Sequence, residues 1–249
     1  MHRFYLNDNN TLSGETTVRI AGEDYRHAVS VLRLHTGDRI TVSDGAGRDY
    51  ECEISDIADD HVDARIVDVC GNASELPVQV TLYQGVPKSD KMELIVQKAV
   101  ELGAVRIVPV MTSRTVVKLD ASKMEKKRGR YQTIAEAAGK QSGRGIIPEV
   151  GAYMSFAEAV EDAKRLDAFL FPYENAKGMD FAREVIGNLK TGDVKTVGIM
   201  IGPEGGFSDA EVAAAEEAGA TVISLGNRIL RTETAGLCAL SVIGFAIDK

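Results

Sequence analysis

From Val78 onward the chain alternates short apolar runs with amphipathic stretches opened by helix-start signals, and this alternation constrains the fold more than any other feature. Residues 78–86, 105–111, 167–173, 197–201 and 221–225 read as buried strands. Between them Ser89 is expected to cap a helix with Met92, Ile95, Val96, Ala99 and Leu102 on one face, which Gly103 ends. Ser122 with Glu125, Ser155 with Glu158 and Ser208 with Glu211 have the spacing of capping boxes, each opening a helix. Residues 179–189 read as a further helix, and a last one starts near Thr234. Such strand–helix alternation predicts an α/β fold, a mainly parallel sheet with helices on both faces.

The first seventy residues follow another pattern. Strands are expected at 3–6, 17–20, 39–43, 50–57 and 61–69, with Asp44-Gly45 and Gly47 as turn residues, which is the pattern of a small β-barrel. A helical stretch over 27–33 interrupts it. The polar segment 71–77 is the clearest boundary and predicts domains at 1–72 and 73–249. The longest apolar stretch, 237–247, is too short to cross a bilayer, so the expected location is cytoplasmic. Cys52, Cys70 and Cys238 lack metal-ligand spacing and read as reduced core residues, and His2, His27, His35 and His61 show no ligand pattern; no metal is expected.

Charge is unevenly spread. The net charge of −8 argues against indiscriminate coating of nucleic acid. Residues 1–72 hold seven arginines, no lysine and fourteen acidic residues, whereas residues 114–144 hold nine basic residues against three acids. The run from Lys123 to Arg130 is compatible with a solvated helix face and with a phosphate-binding surface.

Two loops carry the chemistry. The strand 197–201 runs into Gly202, Pro203, Glu204, Gly205 and Gly206, where the backbone must turn sharply, and the strand 221–225 ends at Gly226 before a loop that enters the last helix. These strands are expected to lie side by side, with the crevice outside their carboxyl ends as the ligand pocket. No Walker lysine follows the glycines, and Glu204 would repel a phosphate, so the loop suits a ligand read by backbone amides and shape, one carrying positive charge included. The same turn is also compatible with a plain tight connection. Arg231 to Thr234 lies at a helix start, whose free amides favour an anion.

The segment Ile201-Gly-Pro-Glu-Gly-Gly-Phe-Ser208, together with Leu225-Gly-Asn-Arg-Ile-Leu-Arg-Thr-Glu-Thr-Ala235, closely resembles the C-terminal signature of the RsmE family of SPOUT-class RNA methyltransferases. Weaker matches run through nearly the whole chain: Met1-His-Arg-Phe-Tyr5, His27 with Val31-Leu-Arg33, Gly37-Asp38, Lys88 with Lys91-Met-Glu93, Lys98 to Gly103, Ser113-Arg114, and Glu136 to Arg144 before Pro148.

The resemblance implies a PUA-like β-barrel joined to an α/β domain whose C-terminal part is threaded into a trefoil knot. It implies a homodimer, S-adenosylmethionine as cofactor, and methylation of N3 of one uridine in the decoding region of 16S rRNA; the acidic barrel then suits a structured particle, the 30S subunit, over bare RNA. It assigns the cofactor to Phe171, Pro172, Tyr173, Ile201, Gly202, Pro203, Gly205, Gly206, Leu225, Gly226, Ile229, Leu230 and Thr234. Arg231 is expected to steady charge on the uracil, and Glu233 or Glu204 to take its N3 proton. Arg3, Arg26, Arg33, Arg114, Lys126, Lys127, Arg128, Arg130, Gln141 and Arg144 are expected to hold RNA. Two other functions remain compatible with the sequence: a SPOUT enzyme acting on another RNA position, and a non-catalytic RNA-binding or ribosome-assembly protein.

Overall fold

The computed structural model describes residues 2–174, 176, 178–190 and 192–248; Met1, the first residue of one family match, lies outside them. The chain packs as two compact units, Met1–Glu75 with Gly139–Ile147, and Leu76–Ala138 with Pro148–Lys249. The first unit thus takes in a returning segment that a linear boundary at 72/73 assigns to the second domain.

The first unit is built on β1 (His2–Tyr5), β2 (Thr11–Ser13), β3 (Thr17–Ala21), β4 (Arg39–Ser43), β5 (Arg48–Ile57) and β6 (His61–Gly71), in the sheet order β1-β4-β5-β6-β3-β2. All pairs are antiparallel except β1 with β4. Each longer strand turns alternate apolar residues inward: Val18 and Ile20, Ile40 and Val42, Cys52 and Ile54, Val62 and Ala64 are all fully buried. The expected helix over 27–33 is instead α1 (Gly22–Arg26) running into one π-helical turn, His27–Val31. The chain leaves that turn through Arg33 in the left-handed region (φ 54°). Of the cysteines only Cys52 is a core residue, where burial pushes its thiol up to about 11. Cys70 is exposed, on the stretch of β6 beyond the register shift between Glu51 and Cys52.

The second unit follows the expected alternation: β7 (Gln79–Gly85), α2 (Lys91–Glu101), β8 (Ala104–Met111), α3 (Ala121–Ser142), β9 (Glu149–Val150), β10 (Met154–Ser155), α4 (Phe156–Ala163), β11 (Ala168–Pro172), α5 (Met179–Asn188), β12 (Thr196–Ile201), α6 (Asp209–Glu217), β13 (Thr221–Ile223) and α7 (Thr232–Ile247). The sheet is parallel, in the order β10-β8-β7-β12-β11-β13, with β9 also on β8. Its strands are apolar on both faces. Leu82, Ile107, Leu170 and Ile199 pack into one core with residues of α2, α5 and α7, while Tyr83, Val108, Phe171 and Met200 pack into another with residues of α4 and α6. Burying one such side chain stabilises by about 1.5–3 kcal/mol, so the central strands fix the layers.

Two helix starts differ from expectation. Ser155 and Ser208 form complete capping boxes with Glu158 and Glu211. Ser89 caps nothing: it sits in the left-handed region (φ 58°), and Asp90 occupies the cap position without a side-chain bond. Likewise α3 starts one residue before Ser122, and Asp120 accepts the backbone N–H of Lys123 at 2.9 Å. Serine–glutamate spacing alone does not fix which preceding side chain reaches the free amides.

The returning segment is held to the first unit by a buried ion pair. Glu75 accepts from Arg144 Nε at 2.9 Å and Nη2 at 2.7 Å, and from the backbone N–H groups of Gly145 and Ile146. The Tyr5 hydroxyl donates to the Arg144 carbonyl. Arg144 has 2% of its side chain exposed, so it is structural and not available to RNA phosphates. Removing one partner of a buried pair leaves the other charge uncompensated. Arg144→Met is therefore expected to lower the unfolding free energy of the full chain by about 3–5 kcal/mol, read from urea denaturation; an unchanged midpoint would contradict the role given to this pair.

Candidate active site

The carboxyl ends of β12, β11 and β13 open onto one cavity of about 380 Å³. Sequence reasoning placed β12 beside β13; the sheet inserts β11 between them, with Leu170 opposite Ile199 and Pro172 opposite Ile223. A third strand end, Pro172 and Tyr173, consequently joins the two loops as a wall. The Tyr173 N–H donates to the Ile223 carbonyl at 3.0 Å and fixes this wall to the last strand.

Close backbone approach shapes the first loop. A Cβ on Gly85 would stand 2.6 Å from both the N and Cδ of Pro203 and 2.8 Å from the Gly202 carbonyl carbon, so only glycine lets this loop cross the end of β7. The Gly206 N–H donates to the Pro203 carbonyl at 2.9 Å and closes the turn. Beneath it, buried Gln84 donates through Nε2 to Thr232 Oγ1 at 2.9 Å, and Thr232 donates to the Gly202 carbonyl at 2.6 Å. One chain of hydrogen bonds thus joins β7, the start of α7 and the loop.

Charged groups hold the mouth. Glu204 accepts the Lys88 backbone N–H at 3.1 Å, and Lys91 Nζ lies 3.2 Å from Glu204 and 3.1 Å from Glu233. Burial pushes the Glu204 carboxyl up, but its own backbone N–H, Lys91 and the Lys88 N–H outweigh this and hold it below its ordinary range. Glu233 is lowered by its own backbone N–H first, against burial, and then by Lys91. The Lys91 ammonium is raised by Glu233 and Glu204. Arg114 Nη1 donates to the Gly205 carbonyl at 2.8 Å. Glu211 links two loops, accepting the N–H of Ser113 at 2.7 Å and of Ser208 at 2.9 Å. Burial raises its carboxyl, and these backbone donors outweigh burial and lower it.

Eleven of the thirteen residues expected to hold the cofactor line the cavity: Pro172, Tyr173, Ile201, Gly202, Pro203, Gly205, Gly206, Leu225, Gly226, Ile229 and Leu230. Glu204 and Arg231 line it as well. Phe171 does not, because its ring is fully buried against Phe207 with centroids 4.3 Å apart. Thr234 is an exposed residue of the first turn of α7. Glu233 reaches the mouth through Lys91. Lys91 and Ser224 were not singled out as site residues from sequence, yet both line the cavity, as do Arg228 and Thr232 of the second loop. For Lys91 the only signal was its place in the Lys91-Met-Glu93 match.

Of the residues expected to hold RNA, Arg26, Arg33, Arg114, Lys126, Arg130 and Gln141 are exposed. Arg128 and Arg130 pair with Glu125 and Glu93, Lys127 lies 6.0 Å from the Tyr131 ring centre, and Arg3 is bound bidentately by Asp49. Among the described residues no cluster of three or more His, Cys, Asp or Glu is arranged to hold a metal ion, and no helix is long and apolar enough to cross a membrane.

A family described as RNA methyltransferase domain matches residues 74–244, and one described as RNA methyltransferase PUA domain matches residues 20–67. The Ribosomal RNA small subunit methyltransferase E of Bacillus subtilis (strain 168) is 36% identical over 235 residues, covering 93% of this chain and 91% of that protein. The protein of the same name from Synechocystis is 34% identical, covering 94% of this chain and 75% of that protein. The crystal structure of a Ribosomal RNA small subunit methyltransferase E from Neisseria gonorrhoeae bound to S-adenosyl methionine superposes with a TM-score of 0.76 at 32% identity, covering 98% of this chain and 97% of that one.

Two outcomes follow from the geometry. Gly85→Ala forces backbone against backbone and is expected to cost about 1–3 kcal/mol in chemical denaturation; a wild-type midpoint would mean the loop does not depend on this approach. Glu211 has a folded-state carboxyl below its ordinary range, so its contribution is fully present above that range and is lost as pH falls through the folded value. Glu211→Gln is therefore expected to be less stable near neutrality and to lose less stability than wild type on acidification, measured as urea midpoint against pH.

Proposed function

Because the chain belongs to the family of the ribosomal RNA small subunit methyltransferase E proteins, we propose that its cavity holds S-adenosylmethionine and that it methylates N3 of one uridine in the decoding region of 16S rRNA. The chain is an S-adenosylmethionine-dependent rRNA methyltransferase with a PUA-like N-terminal domain and a SPOUT-type α/β domain. The observation that carries this reading is the meeting of two glycine loops and a third strand end in one cavity with apolar and backbone walls. Such a lining suits an uncharged adenine between Leu225, Ile229, Leu230 and Pro172, and the carboxylates at the mouth suit a cationic sulfonium. The residues present therefore fit the cofactor.

When bound, the cofactor supplies an already activated methyl group, so the protein has to orient the uracil and dispose of its N3 proton. Arg231 occupies the N-cap position of α7 at the cavity rim without a side-chain capping bond, exposed, and in this proposal steadies the charge developing on the uracil. Glu204 or Glu233, both held ionised, accepts the N3 proton directly or through water. Threading of the C-terminal segment into a trefoil knot belongs to the same proposal.

RNA is the substrate, and we assign the assembled 30S subunit as its form. The acidic first domain would repel a long phosphate surface, and selection of a structured particle through Arg26, Arg33 and the exposed cations of α3 fits that charge map. Cytoplasmic location follows from that substrate. A homodimer through α7 is also proposed: Val242 and Phe245 share an outward face of this helix, and Phe245 is 93% exposed.

Transfer of a labelled methyl group to 30S subunits lacking the modification, with naked 16S rRNA alongside, tests the reading through nucleoside mass spectrometry. The expected product is 3-methyluridine at one site, formed preferentially on 30S; a methyl group on a ribose, or no transfer despite cofactor binding, would contradict it. Arg231→Ala is expected to lower kcat on the order of a hundredfold with RNA affinity unchanged, and full turnover in that variant would remove Arg231 from the mechanism.

A further inference from the structure

Lys91 stands where local rules disfavour it. It is the first residue of α2, at the end where the helix dipole is positive, so a cation there is disfavoured. The residue two before it, Ser89, holds a left-handed backbone (φ 58°) that a non-glycine residue rarely adopts. Both departures deliver groups to one point. The strained loop aims the Lys88 N–H at Glu204, and Lys91 Nζ lies 3.2 Å from Glu204, in the loop after β12, and 3.1 Å from Glu233, in the first turn of α7. Local rules broken in concert at one point mark a candidate functional position.

We propose that Lys91 is a positioning residue for methyl transfer, holding Glu204 and Glu233 together at the cavity mouth so that one of them can take the N3 proton while the other stays paired. The role rests on the reading above, in which one of these carboxylates is the proton acceptor. In the step, uracil N3 keeps the electron pair of its N–H bond for the new N–C bond, the pair of the broken C–S bond stays on the donor's sulfur, and the proton passes to a carboxylate oxygen. One positive charge is lost at sulfur and one arrives as the proton. Two carboxylates sharing one ammonium carry a net single negative charge, which complements the sulfonium before the step and the proton after it. Lys91 alone could not do this with one carboxylate, since that pair would be neutral before transfer.

The other charged side chains lining the cavity are Arg114 from the loop after β8, Arg228 and Arg231 from the loop before α7, and Glu174 after β11. Arg231 adds to the field that keeps Glu233 ionised. Arg114 is engaged with the Gly205 carbonyl. None of these is within ion-pair distance of Glu204 or Glu233 among the described pairs, which leaves Lys91 as the bridging cation.

The test compares Lys91→Met and Lys91→Arg with wild type, after circular dichroism establishes that each is folded. Carboxyl 13C NMR of the free protein, assigned through Glu204→Gln and Glu233→Gln, reads the ion pairs without cofactor or RNA. In Lys91→Met at least one of the two carboxyls is expected to titrate about one pH unit higher, and Lys91→Arg is expected to restore the wild-type value. The acid limb of kcat against pH should move up by the same amount in Lys91→Met, with kcat near neutrality lower on the order of tenfold and KM for RNA unchanged. Unchanged carboxyl titrations in Lys91→Met would overturn the proposal. A moved titration with an unmoved rate profile would overturn the proton-acceptor premise and the proposal with it, whereas absence of transfer by the wild-type protein would overturn the proposed function itself.

Discussion

The crossing of Gly202 and Pro203 over the end of β7 is the contact on which the site depends. The space that a Cβ of Gly85 would fill is taken by Pro203 backbone, so the strand end and the loop touch with nothing between them. Because β7 lies next to β12 in the sheet, this contact sets where the chain turns after β12. The loop then folds back through the Gly206 to Pro203 hydrogen bond and leads into the capping box of α6. Its outer side faces the cavity, and its inner side is tied by Thr232 to α7.

Around this contact, polar groups connect elements far apart in the chain. Gln84 and Thr232 run beneath the loop, Glu211 ties its far end to Ser113 after β8, and Lys91 spans from α2 to the loop and to α7. Directed hydrogen bonds hold a site more firmly than apolar packing alone, and here they are incomplete: Gln84 donates through Nε2 while its buried Oε1 has no partner among the described residues. The acidic residues at the mouth are kept ionised by the same bonds that fix their positions. Position and charge state are thus set together.

The layers of the second unit were legible because two-faced apolar strands and two capping boxes are local signals, carried by residues such as Leu82, Tyr83 and Ser208. The loops were legible because Gly202, Pro203, Gly205, Gly206 and Gly226 sit at the ends of apolar runs. Strand order was not: nothing local to 197–201 or 221–223 shows that β11 slips between them. The same limit hid Lys91 and Gln84, whose partners lie more than a hundred residues away. Arg144 misled for the related reason that a basic residue in a basic segment reads as a surface charge until Glu75 is found beside it. Ser89 was read as a cap because residue type gives no sight of a left-handed backbone.

The charge map and the cavity describe one division of labour. In the proposed function the exposed cations of α3 would meet RNA phosphates, while the cavity, walled by backbone and apolar groups with charged side chains at its mouth, would take the small cofactor. The most direct test is a crystal structure of the full chain grown with S-adenosylhomocysteine. Ligand density between the Gly202 to Gly206 loop and the Leu225 to Leu230 loop, with Pro172 and Tyr173 as the third wall, is the predicted result. Ligand ordered elsewhere, or an empty cavity at concentrations that saturate binding in solution, would contradict the account.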